Sequence, residues 1–213
     1  MISTSGKSTK TETGGLIALG SNVAAPGLPP EATLAGALAA LDDESLRVTA
    51  ISRFYRTPFL PAGTAPDVVN AVAAIRTALD PAALLARLHE VEAAFGRTRT
   101  RRWAARRLDL DLLDLGGAVL PDAATQERWR RLAPHLQAGR APDELILPHP
   151  RLQDRAFVLV PLAEIAPGWR HPGLGRTARE MLDALPETEK AQILPISDPR
   201  ADLSALVKAF RNQ

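Results

Sequence analysis

The 213 residues include no cysteine, which excludes disulfides, thiolate catalysis and cysteine-ligated zinc together. Lysine is nearly as scarce. Only Lys7, Lys10, Lys190 and Lys208 accompany 22 arginines, and none lies between residues 11 and 189. Abundant Ala, Arg and Pro point to base composition as the cause. The chemical consequence is that any phosphate held by the central part of the chain must be met by Arg, backbone amides or metal. Long hydrophobic runs are also missing: nothing approaches the roughly 18 apolar residues of a membrane span. The first residues, MISTSGKSTKTETGG, carry no hydrophobic secretory segment. The expectation is a cytoplasmic protein that makes no membrane contact. Aromatics are few, at 4%, so a surface that stacks successive bases is poorly supplied.

What is present is an ordinary globular composition, with 46% hydrophobic and 23% charged residues and a net charge of +2. That suits one domain with a real core. Residues 1–14 read as a flexible tail, residues 15–185 as the domain with an insertion at about 121–143, and residues 186–213 as a Pro-rich extension wrapping the surface. Leu16 to Leu19 form an apolar strand ending in a Gly20-Ser21-Asn22 turn. Leu34, Leu38 and Leu41 recur at helical spacing. Residues 46–54 alternate like a strand. Residues 68–77 are apolar on both faces, which predicts a central strand. Asp80-Pro81 opens a helix as N-cap and first residue, with Leu84, Leu85, Leu88, Val91 and Phe95 as its stripe and Gly96 as its stop. Residues 108–112 alternate strictly as a fourth strand. The order β-α-β-β-α-β is the ferredoxin-like arrangement, an α/β (α+β) fold predicting an antiparallel sheet with helices on one face and an irregular helical C-terminal part. In that part a short helix runs from Pro161 to Ile165 and another fits residues 177–185.

The densest chemistry lies at residues 96–111, GRTRTRRWAARRLDLD. Six Arg fall between Arg97 and Arg107, and Asp109 and Asp111 follow on one strand. Period-2 geometry puts both carboxylates on one face, about 7 Å apart along the strand. Acids that close repel unless a hard cation sits between them, and Mg²⁺ takes one or two carboxylates, filling its shell with water and phosphate oxygens. Arginines grip polyphosphate bidentately. A D-x-D pair alone is more often a solvated strand face; beside six Arg and Trp103 a metal–nucleotide site is the better reading. His149, between Pro148 and Pro150, has a stiff backbone and an aimed ring, although such a residue is commonly a structural hydrogen-bonder. Arg155 and Phe157 stand two apart and can address one ligand, or be a surface Arg and a core Phe. Asn70 interrupts an apolar strand, where a buried amide must be paired; it pairs with backbone or reads a heterocycle. Glu92 sits at the edge of its helix stripe. Two motifs are decoys. Residues 5–8, SGKS, lack the first glycine and the preceding strand of a phosphate loop. Residues 173–178, GLGRTA, do not follow a strand.

At these residues the sequence resembles the 6-hydroxymethyl-7,8-dihydropterin pyrophosphokinases. The pieces match in order: Ala18 to Asn22; Phe54 to Pro58; Pro66-Asp67 with Asn70-Ala71; Glu92; Gly96 to Arg99; Arg102-Trp103 with Arg106; Leu108 to Asp111; Pro148-His149; Arg155; Phe157; Pro161-Leu162; and Glu164 to Pro167. The set spans roughly residues 15–185 and is specific only as a set. The resemblance implies diphosphate transfer from ATP to the pterin hydroxymethyl, two Mg²⁺ ions held by Asp109 and Asp111, and charge stabilisation by Arg97 and Arg106. It implies ATP contacts from Glu92, Arg99, Arg102, Trp103, Leu112, His149 and Arg155. Thr57, Pro58, Leu60, Asn70 and Phe157 take the pterin, under a mobile loop at residues 97–107. It also implies small-molecule partners, no nucleic acid, and a monomer. The chain departs from the pattern at Val68, where the family has a stacking aromatic, at Ala104-Ala105, which replaces a Gly/Pro-type turn, and at the insertion, absent from compact members. Two alternatives compete: a nucleic-acid-binding ferredoxin-like module, disfavoured by the few aromatics and by the acid pair, and a catalytically impaired scaffold relative, raised by Val68 and opposed by the retained acids and arginines.

Overall fold

A computed structural model describes residues 11–23, 29–59, 65–96, 107–133, 136 and 140–197. Its sheet is built from β1 (Thr13–Ser21), β2 (Leu46–Ile51), β3 (Phe54–Thr57), β4 (Val68–Thr77), β5 (Asp109–Leu115) and β6 (Leu194–Ser197), all paired antiparallel. The strand order is β5-β1-β4-β3-β6, with β2 sharing the same side of β4 as β3. Treating β2 and β3 as one interrupted strand gives the ferredoxin-like order, and the doubly apolar β4 is central as its sequence requires. The interruption lies at Ser52-Arg53. Ser52 is fully buried, and its hydroxyl accepts from Val72 N at 3.0 Å and donates to Arg53 O at 2.8 Å.

The helices α1 (Pro30–Leu41) and α2 (Pro81–Ala94) cover one face. Asp80 caps α2 by accepting from Ala83 N at 2.8 Å, and Gly96, at φ +81°, ends it. Eight of the twelve residues of α1 are buried, more than a single stripe, because Ala32, Ala35, Gly36 and Ala37 let it settle closely on its neighbours. Leu34, Leu38, Leu84 and Leu88 meet Ile17, Leu19, Ala73, Ile75, Leu110 and Leu112 in this core.

Helices on one face alone do not describe the molecule. A second core forms on the opposite face, where Leu16, Val72 and Leu113 pack against α4 (Ala156–Ile165) and α5 (Ala178–Asp183). The sheet is therefore sandwiched. The helix α4 starts at Ala156, well ahead of the sequence-based start at Pro161, and carries Pro161 inside it. The proline forfeits one helical hydrogen bond; burial of Val158, Leu159, Leu162 and Ala163 outweighs that loss. The capping box of α5 is complete: Glu180 N donates to Thr177 Oγ1 at 3.1 Å, and Thr177 N donates to Glu180 Oε2 at 2.7 Å. The insertion contributes α3 (Ala123–Arg130), capped by Asp122. Beyond residue 185 the chain is more than wrapping. The short helix α6 (Glu187–Lys190) leads to β6, whose Pro195 is tolerated on an edge strand.

Candidate functional site

Residues directly opposite in an antiparallel ladder share a sheet face. In this sheet Tyr55 pairs with Asn70, Asn70 with Gly20, and Gly20 with Asp109, one row across β3, β4, β1 and β5. The next row is Val72, Ala18 and Asp111. Asp109 and Asp111 thus share a face, as their spacing predicts, and Asn70 shares it with them. This is the face that α4 covers, and the acids lie partly exposed where its cover stops. Between Asn70 and Asp109 stands Gly20. A Cβ there would lie 3.3 Å from Asn70 Oδ1, 3.7 Å from Val68 Cγ1 and 4.0 Å from Asp109 Cβ. The glycine leaves a shallow trough between amide and acid.

Two arginines and a histidine border the acids. Arg155 precedes α4 and places Nη1 3.9 Å from Asp111 Oδ2. Burial presses its guanidinium below its ordinary range, and Asp111 and Asp109 act in the opposite sense; it remains a cation at neutral pH. The same group lies over the Phe157 ring, 5.5 Å from the centroid, leaving Phe157 37% exposed. Burial, with Arg155 and Arg151 close by, pushes the His149 imidazole down to about 3 against the pull of Asp109. The ring is therefore neutral at physiological pH. Arg151 N donates to its Nδ1 at 3.2 Å, which assigns the proton to Nε2 and makes that atom a donor. The segment around it is tied to β5 because His149 N donates to Leu113 O at 2.8 Å.

The amide of Asn70 is buried, and its Nδ2 donates to Thr57 Oγ1 at 2.8 Å. Thr57 in turn donates to Val68 O at 3.4 Å. Pro58 follows, exposed. Glu92, 1% exposed, spends one carboxylate oxygen on Leu110 N at 2.8 Å. It satisfies an outward amide of the edge strand β5 and pins α2 to the strand that carries the acids. Leu112 has its side chain in the α1/α2 core, so only its backbone is available to a ligand. Arg97, Arg99, Arg102, Trp103, Arg106 and Leu60 lie outside the described residues.

Sequence reading missed Asp114. A bulge sets Leu16 opposite Asp114 and Ile17 opposite Leu112, which brings Asp114 to the face of Asp109 and Asp111. The doubled Leu112-Leu113, breaking the alternation, was its signal. Asp114 is buried, and its Oδ2 accepts from Gly117 N and Trp169 Nε1; burial raises its carboxyl above the usual range. It braces the end of β5. The glycines of the second decoy serve a turn: Gly173 N and Leu174 N both donate to His171 Nδ1.

The donor set fits Mg²⁺. The two carboxylates are hard oxygen donors on one face, and the missing Cβ of Gly20 keeps the trough beside them open. Among the described residues no third His, Cys, Asp or Glu joins them as a metal-holding cluster. That suits an ion that keeps several positions for water and phosphate oxygens.

Comparison with known proteins is consistent with this geometry. The family model for 7,8-dihydro-6-hydroxymethylpterin-pyrophosphokinase matches residues 16–167. The 2-amino-4-hydroxy-6-hydroxymethyldihydropteridine pyrophosphokinase of Methylorubrum extorquens is 40% identical over 172 residues, covering 79% of this chain and 91% of that protein. The enzyme of the same name from Synechocystis is 34% identical over 184 residues, covering 85% and 81%. Among solved structures, Plasmodium falciparum HPPK-DHPS A437G with STZ-DHP aligns with a TM-score of 0.58 at 12% identity. That likeness covers 83% of this chain and 46% of the longer Plasmodium chain, and speaks to the fold alone.

Proposed function

The chain belongs to the 7,8-dihydro-6-hydroxymethylpterin-pyrophosphokinase family, and we propose that its reaction takes place on the row from Tyr55 to Asp109. The enzyme is an ATP-dependent diphosphokinase. It transfers diphosphate from ATP to 6-hydroxymethyl-7,8-dihydropterin, giving AMP and the pterin diphosphate, a step of folate biosynthesis. The hydroxymethyl oxygen bonds to the β-phosphorus, the bond from that phosphorus to the α,β-bridging oxygen breaks, AMP leaves with the bridging oxygen, and the hydroxyl proton is released.

The observation that carries the placement is the register of Asn70, Gly20 and Asp109. Two strand spacings separate amide from acid, roughly 10 Å. That is about the reach of a bicyclic heterocycle with a one-carbon arm, so a pterin read by Asn70 presents its hydroxyl at the acids. Asn70, held by Thr57, meets the donor and acceptor edge of the ring. Phe157, 37% exposed, offers a ring to the ligand, and Val68 an aliphatic wall in place of a second aromatic. Asp109 and Asp111 would hold two Mg²⁺ ions, which when bound draw off phosphate charge and polarise the attacking oxygen. Arg155 and the neutral His149 Nε2–H supply a charge and a donor to the nucleotide. Glu92 holds β5 in place behind them. The backbone of Leu112 points out of the edge strand by the same alternation as Leu110 and is free to meet the base. Arg97 and Arg106 take the charge of the transferring group, with Arg99, Arg102 and Trp103 on ATP. Phosphoryl transfer asks mainly for such positioning and electrostatics.

We read the chain as a cytoplasmic monomer with small-molecule substrates and no nucleic-acid role. The catalytic unit spans residues 15–185, and residues 186–213 extend it. Among the described residues no helix is long and apolar enough to cross a membrane. The test is direct: with Mg²⁺, ATP and hydroxymethyldihydropterin, purified protein releases AMP in step with pterin diphosphate. ADP in place of AMP, or no turnover, overturns the reading.

A further inference from the structure

The insertion helix α3 has one buried residue, Gln126, 2% exposed. Its Nε2 donates to Pro148 O at 3.2 Å, on the residue just before His149. The turn at Gly173 packs beside the amide: a Cβ there would lie 3.5 Å from Gln126 Oε1, an ordinary contact distance. The histidine segment is then fixed at successive residues by separate partners. Leu147 exchanges backbone hydrogen bonds with Leu120 at 2.8 and 3.2 Å, Pro148 O is held by Gln126, and His149 N is held by Leu113 O at 2.8 Å. Proline has no N–H, so its carbonyl is the only hydrogen-bonding handle on Pro148. Among the described residues, the side chain that reaches that handle belongs to the insertion. The helix is capped at its own start by Asp122, which accepts from Thr125 N at 2.9 Å.

We propose that Gln126 is a positioning residue for the nucleotide, holding the Pro148 carbonyl so that the His149 Nε2–H stays aimed at the ligand beside Asp109 and Asp111. This gives the insertion a role in ATP binding. It rests on the pyrophosphokinase reading for the identity of the ligand. A floppy donor has to be ordered when the ligand arrives, and a fixed one does not, so the contribution of Gln126 is felt only through His149.

The test is binding of Mg²⁺ with α,β-methylene ATP by calorimetry, on wild type, Gln126→Ala, His149→Ala and the double variant. Gln126→Glu, of equal shape but without the donor, is measured alongside and carries the reading should the alanine variant fold poorly. Thermal unfolding of each variant is recorded. The expected result is affinity about fivefold weaker in Gln126→Ala and Gln126→Glu, on the scale of one hydrogen bond, with no further loss when the substitution is added to His149→Ala. Additive losses in the double variant, or unchanged affinity with only a lower melting temperature, overturn the proposal and leave Gln126 a packing residue. Absence of nucleotide binding by wild type overturns it as well. AMP release, assayed separately, reports on the pyrophosphokinase reading, so the two failures are distinguishable.

Discussion

At the scale of the residue, the weight falls on two carboxylates and what surrounds them. Asp109→Ala and Asp111→Ala each remove a hard donor that nothing else among the described residues duplicates. Each is expected to lower turnover by at least a hundredfold, since metal stabilisation of the phosphates amounts to several kcal/mol. Both side chains are partly exposed, so circular dichroism and melting temperature should stay near wild type. A near-normal AMP release rate in either variant moves the metal elsewhere. The sequence made this pair legible because alternation and strand geometry suffice to put both acids on one face. Its hint of Asp114 as their neighbour was only the doubled Leu112-Leu113, because where a bulge falls is set by the partner strand β1, which lies far away in sequence. Nor did it show how Glu92 is spent. An acid beside an apolar stripe looks like a tolerated edge residue until the outward amide of Leu110 is found donating to it.

At the scale of the element, local rules worked where local chemistry decides. Asp80 followed by Pro81 opens α2 as its residues require, so Asp80→Ala removes the acceptor for Ala83 N. It should cost about 1 kcal/mol of stability, read as a lower midpoint in urea with an unchanged slope. Where tertiary packing decides, local rules fell short. The segment AFVLVPLAEI contains a proline and so reads as a helix beginning there, but the sheet face beneath it is apolar enough to hold a full helix through the break. That underestimated helix is the one that brings Arg155, lying over the Phe157 ring, to Asp111. The predicted single strand over residues 46–54 likewise became β2 and β3, because Glu164 of α4 reaches the break: it accepts from Arg53 N at 3.1 Å and from Tyr55 Oη at 2.7 Å. The tether fixes the far end of α4 to the sheet, and with it the angle at which its first turn meets Asp111.

At the scale of the molecule, the second face sets the response to acid. His171 is fully buried, and burial, with Arg130 nearby, pushes it down to about 4 from 6.5. Between those values the unfolded chain holds the extra proton. Stability from this group is complete above pH 6.5 and drains away as pH falls toward 4, by on the order of 3 kcal/mol. Asp114, raised by burial, acts in the opposite sense above its unfolded value of 3.8. A His171→Asn variant keeps an acceptor for Gly173 and Leu174 without titrating. Denaturant melts at pH 7 and pH 4.5 should therefore show a smaller loss for the variant than for wild type. An equal loss in both assigns the acid sensitivity to other groups.

The place of β1 has a consequence for how the enzyme comes into being. The strand made first lies inside the sheet, between β4 and β5, and Gly20 waits for Asp109 to arrive from the far side of two helices and three strands. A nascent chain that has emerged only as far as Phe95 can pack α1 and α2 on a half-built sheet, yet one flank of β1 stays open. Such long-range closure slows folding relative to helical bundles of similar size. On the proposed placement of the reaction, competence is tied to β5: the strand that covers the open flank of β1 is also the one that carries Asp109 and Asp111, so a ribosome-bound intermediate lacking it has no partial activity to offer.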